Sequence, residues 1–174
     1  QVESSIDEDI YHGGIYLFDE DGSIIFEYDE PDWRIPGGLG LDGIDMIAKF
    51  QMGATPAVAD IDEDGEMEIL VPTWQSGLII FNIDGSIQNR IAFPGEIMLS
   101  YPAVADLDPS YPGLEFVIGS NDGRVYAYHY DGSSFGNWPY NFGRFIHSSP
   151  AIADLGGDGD LEVIVKVQPH KIFK

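Results

Sequence analysis

The sequence predicts an all-β chain, a partial β-propeller of four-stranded antiparallel blades, and three observations carry that prediction. Landmark residues return about every 47 positions, short apolar runs rich in β-branched and aromatic residues are bounded by turn signals, and long helical periodicity is absent. At 174 residues with 44% hydrophobic side chains, the chain is large enough to bury a real core.

The repeat is legible in three stretches, beginning ATPAVADIDEDGEMEILV at Ala54, SYPAVADLDPSYPGLEFVIG at Ser100 and SSPAIADLGGDGDLEVIV at Ser148. Pro56, Pro102 and Pro150 are 46 and 48 residues apart, and Glu68, Glu115 and Glu162 are 47 and 47 apart. In each unit PAVAD or PAIAD reads as a short strand of small side chains. MEILV, LEFVIG and LEVIV read as strands buried on both faces. GLIIFNI and GRVYAYHY supply the third strand, and each runs into Asp-Gly-Ser, a strong hairpin signal. A more polar fourth strand completes the unit. The opening segment GGIYLFDEDGSIIFEY fits the third strand, turn and fourth strand of a blade.

The expected organisation is therefore one propeller fragment with four parts: an outer half-blade plus insertion at 1–53, blades at 54–99 and 100–147, and an inner half-blade at 148–174. From Asp21 to Asp84 is 63 residues against 47 from Asp84 to Asp131, and the extra 16 fall in a Gly- and Pro-bearing insertion around 29–53. Twelve strands are three blades' worth, fewer than a closed ring normally needs. The remaining blades of the same protein, or further copies of it joined head to tail, are the expected partners.

Charge narrows the function classes. With 30 acidic against 8 basic residues the formal net charge is −22, which repels nucleic-acid backbones and anionic lipid surfaces. No run of about 18 apolar residues exists, so no membrane-spanning helix is expected. Residue 1 is Gln and no basic-then-apolar leader follows, so a secretory signal is expected to have been removed or to lie outside this sequence. There is no cysteine, which excludes disulfides and thiolate sites. His12, His129, His147 and His170 are scattered without zinc-ligand spacing, and a packing or surface role is the plain reading of His129. The serines lie in turns without a nucleophile elbow. The tryptophans Trp33, Trp74 and Trp138 are expected mostly to wedge between blades, with Trp33 set apart by its place in the insertion.

The acid concentrates in the loops between first and second strands. Asp60, Asp62, Asp64 and Glu68 stand at positions 1, 3, 5 and 9 of DIDEDGEME, with Gly65 at position 6 to let the backbone reverse. Glu66, at position 7, would offer its carbonyl. Hard oxygen donors without His or Cys select Ca²⁺. An EF-hand would need Glu at position 12 before a helix, but Val71 and Val165 stand there inside expected strands. In the loop 154–162, Asp154, Asp158 and Glu162 keep positions 1, 5 and 9, Asp160 adds charge, and Gly156 replaces the second Asp. The middle loop keeps Asp106, Asp108 and Glu115 but is one residue longer, with Ser110 in place of the third Asp and two prolines that can shape it without metal. The plainer alternative for all three is an acidic surface turn with no ion.

PAVADIDEDGEMEI together with the later YAYHYDGS resembles the FG-GAP or VCBS-type repeat of integrin α-subunit propellers and many secreted microbial proteins. The resemblance implies Ca²⁺ bound by the loop joining a blade's first two strands. It also implies an extracellular or cell-surface protein acting as a protein- or glycan-interaction module and not as an enzyme. Two alternatives remain open: the propeller portion of a secreted carbohydrate-active enzyme, or a surface structural protein that completes its blades head to tail. Only four Lys and four Arg are present, which weighs against a site for an acidic polysaccharide.

Overall fold

The computed structural model describes residues 14–29, 55–73, 77–93 and 100–167. The insertion around 29–53, Trp33, Trp74, His12 and His170 thus fall outside the described residues, apart from the backbone of Asp29. Every described element is a β-strand, and the chain divides into two compact units, 1–51 and 52–174.

Unit 1 contributes one hairpin, β1 (Gly14–Phe18) and β2 (Ile24–Asp29). Unit 2 holds two four-stranded antiparallel meanders and a two-stranded sheet. The first meander runs β3 (Ala57–Ala59), β4 (Glu68–Thr73), β5 (Gly77–Asn82), β6 (Ile87–Ile91) in chain order. The second runs β7 (Ala103–Ala105), β8 (Glu115–Gly119), β9 (Arg124–His129), β10 (Tyr140–Asn141), and β11 (Ala151–Ala153) pairs with β12 (Glu162–Ile164). The described strands therefore group as two, four, four and two, the pattern of propeller blades.

The hairpins form because Asp-Gly-Ser closes the same turn three times. The amides of Ser23, Ser86 and Ser133 each donate to Oδ1 of the Asp two residues earlier at 2.8 Å. The glycine between them takes φ of 83°, 86° and 84°, the left-handed region where a side chain is strained. In the middle blade the fourth strand is shorter than expected. After the turn only Tyr128 and Ser134 bridge before the two residues of β10, because Pro139 has no amide to give to the ladder and Gly136 turns at φ 50°.

The core explains why β4 and β8 are apolar without alternation, whereas β12, read as buried on both faces, leaves Ile164 exposed because only β11 pairs with it among the described residues. In β8, Phe116 and Ile118 pack with Ile61, Leu70, Leu78, Ile80 and Tyr126 on the side of the first blade. Val117, between them, packs with Val125, Ala127 and Ile146 on the other side, against Ile152 and Val163 of the β11–β12 sheet. Both faces of one strand are thus buried, and a full apolar side chain so placed stabilises by about 1.5–3 kcal/mol. Trp138 packs against this second cluster and meets Tyr140 edge-on at 4.8 Å. Serines stitch one blade to the next: Ser100 Oγ donates to the Ser148 carbonyl at 3.1 Å, and Ser149 Oγ accepts the Tyr101 amide at 3.0 Å.

Candidate metal centre

The three acidic loops are built on one rule that the sequence does not announce. The glutamate at their end reaches back and accepts the amide of the loop's second residue through Oε2. Glu68 takes Ile61 N–H at 2.8 Å, Glu115 takes Leu107 N–H at 2.7 Å, and Glu162 takes Leu155 N–H at 2.7 Å. This glutamate opens the second strand, β4, β8 or β12, so the bond ties the loop's start to the sheet. In the first two loops it is a buried group, and an amide paired with a charged acceptor makes one of the stronger hydrogen bonds available.

In loop 60–68 the leading aspartate does a second job. Asp60 Oδ1 accepts Asp64 N–H at 3.1 Å and Oδ2 accepts Gly65 N–H at 3.0 Å, while Asp64 Oδ1 accepts Glu66 N–H at 2.8 Å. The reversal needs positive φ at Glu63 (61°) and Gly65 (96°). It folds the carboxylates together: one oxygen each from Asp60, Asp62 and Glu68 lie within 4.8 Å of one another. Two oxygens on opposite sides of a single Ca²⁺ stand about 4.6–5.2 Å apart, given metal–oxygen distances of roughly 2.3–2.6 Å, so the spacing and the all-oxygen donor set fit that ion. Electrostatics agrees. Burial first, and then repulsion from Asp62, Asp64 and Asp60, push the Glu68 carboxyl above its ordinary pKa, against the lowering effect of the Ile61 amide. A cation among these groups removes that repulsion. Gln88 reaches over from β6 and donates to Asp62 Oδ2 at 2.8 Å.

The other sequence candidates are placed differently. In loop 154–162, Asp154 copies Asp60: its oxygens accept Gly157, Asp158 and Gly159 amides, and these bonds, Gly159 first, hold its pKa below the ordinary value. Asp158 Oδ1 takes Asp160 N–H at 3.2 Å. Asp154, Asp158, Asp160 and Glu162 are all exposed. In the middle loop Asp108 Oδ1 accepts both the amide and the hydroxyl of Ser110, at 3.1 and 2.5 Å, and Asp106 lies exposed. Among the described residues, the carboxylates that converge closely enough to share an ion are those of Asp60, Asp62 and Glu68.

Three participants escaped the sequence reading. Ile61 is fully buried and its carbonyl accepts Leu114 N–H at 2.8 Å, which joins the first loop to the middle one. Gln88 comes from a strand read only as polar. His129 is buried and its Nδ1 lies 2.7 Å from Glu115 Oε1. The signal for the last was present in the register: Glu115 and His129 are direct cross-strand partners, as are Glu68 and Asn82 one repeat earlier.

Away from the loops, Asp122 at the β8–β9 turn accepts Arg124 Nη1 at 2.7 Å and Tyr126 hydroxyl at 2.6 Å. Burial, and next the Asp122 bond, raise the Tyr126 phenol above its usual range.

Comparison with curated proteins finds no match. Among solved structures, the crystal structure of the V. cholerae biofilm matrix protein Bap1 aligns with 64% of this chain and 17% of its own, at 23% identity and a TM-score of 0.49. A family model for the FG-GAP-like repeat matches residues 114–165, from β8 through the whole of loop 154–162. The chain therefore carries an FG-GAP-like repeat, as the resemblance of PAVADIDEDGEMEI and YAYHYDGS to that repeat had implied.

Proposed function

We propose that this chain is a calcium-stabilised interaction module of β-propeller blades that works outside the cell and recognises protein or glycan through its loops, without catalysis of its own. The observation that carries the reading is the convergence of Asp60, Asp62 and Glu68 within 4.8 Å, on a repeat whose three loops share the same glutamate-to-amide bond. Asp60, Asp62 and Glu68 hold the ion, with Asp64 and the Glu66 carbonyl completing the shell. Asp154, Asp158, Asp160 and Glu162 form a second, more exposed site. The bound ion neutralises crowded carboxylates and so locks the loop against the sheet. With Kd of roughly 0.1–1 mM and 1–2 mM ambient Ca²⁺, each site stabilises by about 0.5–2 kcal/mol, a structural contribution suited to an extracellular setting. The open β11–β12 sheet is covered by further blades of the same protein or by a second copy.

The test is thermal unfolding of the full chain in 2 mM Ca²⁺ and in EDTA, with Asp62→Asn beside it. The expected result is a higher Tm in Ca²⁺ that Asp62→Asn reduces. Identical melting in both buffers sinks the calcium reading. Binding to an immobilised panel of glycans and matrix proteins checks recognition, and turnover of any glycan would favour the enzyme alternative instead.

A further inference from the structure

The middle loop carries the same glutamate clamp as the first but faces a different group. Glu115 is fully buried and both of its oxygens are committed: Oε2 accepts Leu107 and Asp108 amides at 2.7 and 3.0 Å, and Oε1 meets His129 Nδ1 at 2.7 Å. An ionised carboxylate only accepts, so with Glu115 ionised the imidazole donates through Nδ1. The ring is held on two sides. Tyr111, from within the loop, stacks on it with centroids 3.8 Å apart and planes at 24°, and Phe135 meets its edge at 5.4 Å. Tyr111 hydroxyl is in turn anchored on Asp131 Oδ2 at 3.0 Å. The carboxylates facing this ring are Glu115, with Asp108 and Asp131 close enough to feel it.

The corresponding residue of the first blade is Asn82, paired across the strands with Glu68. Its amide donates to Ser86 Oγ at 2.9 Å, and the groups gathered with Glu68 are the carboxylates of Asp60 and Asp62. In the middle blade the imidazole of His129 engages Glu115 Oε1, and Ser110 has replaced the third aspartate.

We propose that His129 stands in for the metal ion in loop 106–115, supplying from the protein the donor that Glu115 requires, so that the middle blade keeps its loop closed without calcium. This rests on the reading of loop 60–68 as a calcium site. The middle loop then stays closed whether or not calcium is present, unlike loop 60–68.

The experiment counts Ca²⁺ bound to the full chain by equilibrium dialysis and measures melting in EDTA. The expected outcome is that the double variant Asp106→Asn/Asp108→Asn leaves the number of bound ions unchanged, whereas Asp62→Asn removes one. His129→Asn, which installs the first blade's residue, is expected to lower Tm in EDTA by about 5–10 °C. Loss of one ion from the Asp106/Asp108 variant would overturn the proposal, as would unchanged melting of His129→Asn. If a variant does not fold, the wild-type protein decides by NMR. Added Ca²⁺ should move the Gly65 amide and leave Leu107 and Asp108 in place, and movement of the latter pair would refute the substitution. If wild type binds no ion and Gly65 stays still, the calcium reading of the first loop is what has failed, while the EDTA melt still judges His129.

Discussion

Loops 60–68 and 106–115 start from the same scaffold and reach closure by opposite means. Both lie between the first two strands of a blade, and both are tied by a buried glutamate to the amide of their second residue. In the first, three carboxylates crowd together and Glu68 is driven above its ordinary pKa. In the second, a histidine and a stacked tyrosine fill the space beside the glutamate. Clamp and counter-group are thus separable: the same glutamate-to-amide bond recurs, while the groups beside the glutamate differ, carboxylates in the first loop and an imidazole in the second. The two loops are also coupled mechanically, since Leu114 donates to the Ile61 carbonyl.

The comparison breaks most visibly at Glu115. Replacing it with Ala strands Leu107 N–H, Asp108 N–H and His129 in a buried site, and urea unfolding should register a loss of about 3–5 kcal/mol, the same with Ca²⁺ as with EDTA. A loss that Ca²⁺ restores would mean that the middle loop is a metal site after all.

The coupling between the loops is tested at Gly113. An added Cβ there would lie 2.6 Å from both the Ile61 carbonyl oxygen and the Tyr130 ring, on a residue at φ +76°. Gly113→Ala should therefore cost about 2–3 kcal/mol, and its Ca²⁺ response should fall because the first loop is displaced. A variant as stable as wild type would show that the two loops are independent.

The proton tells the loops apart more gently. Glu68 has a folded-state pKa raised above 4.5 by burial and by its acidic neighbours. A group shifted that way contributes stability fully below its unfolded pKa and loses it as pH rises through the folded one. In EDTA, wild type should therefore lose stability relative to Glu68→Gln as pH climbs from about 4.5 toward neutrality. Ca²⁺ favours the ionised carboxylate and should flatten or invert that trend. A difference between the two proteins that ignores both pH and Ca²⁺ would remove the electrostatic argument for the first loop.

The smallest effect belongs to Gln88, whose exposed amide orients Asp62. Gln88→Ala should change stability in EDTA by no more than about 0.5 kcal/mol, yet weaken Ca²⁺ binding measurably by calorimetry. Unaltered affinity would mean that Asp62 needs no orienting.

The 47-residue period, the Asp-Gly-Ser hairpins and the uninterrupted apolar runs made the blades readable in advance, because each reports local physics. A turn needs its left-handed glycine, and a strand buried on both faces shows no alternation. The acidic loops were equally visible, since six carboxylates in nine positions require a reason. Less was legible where proline interrupts the ladder, and the two-residue β10 is the outcome. The glutamates that end the loops read as ion ligands, yet the bond they share is to a backbone amide, which composition cannot reveal.

Local sequence alone determined that this chain repeats, that its repeat is a β unit, and where its charge gathers. Those properties depend on neighbours within a few residues. Which glutamate meets aspartates and which meets a histidine depended on residues 14 positions away across a strand pair. The joining of one loop to the next depended on a carbonyl about fifty residues distant. Buried hydrogen bonds must be completed by whatever the fold brings alongside, and only the packed blades settle what that is.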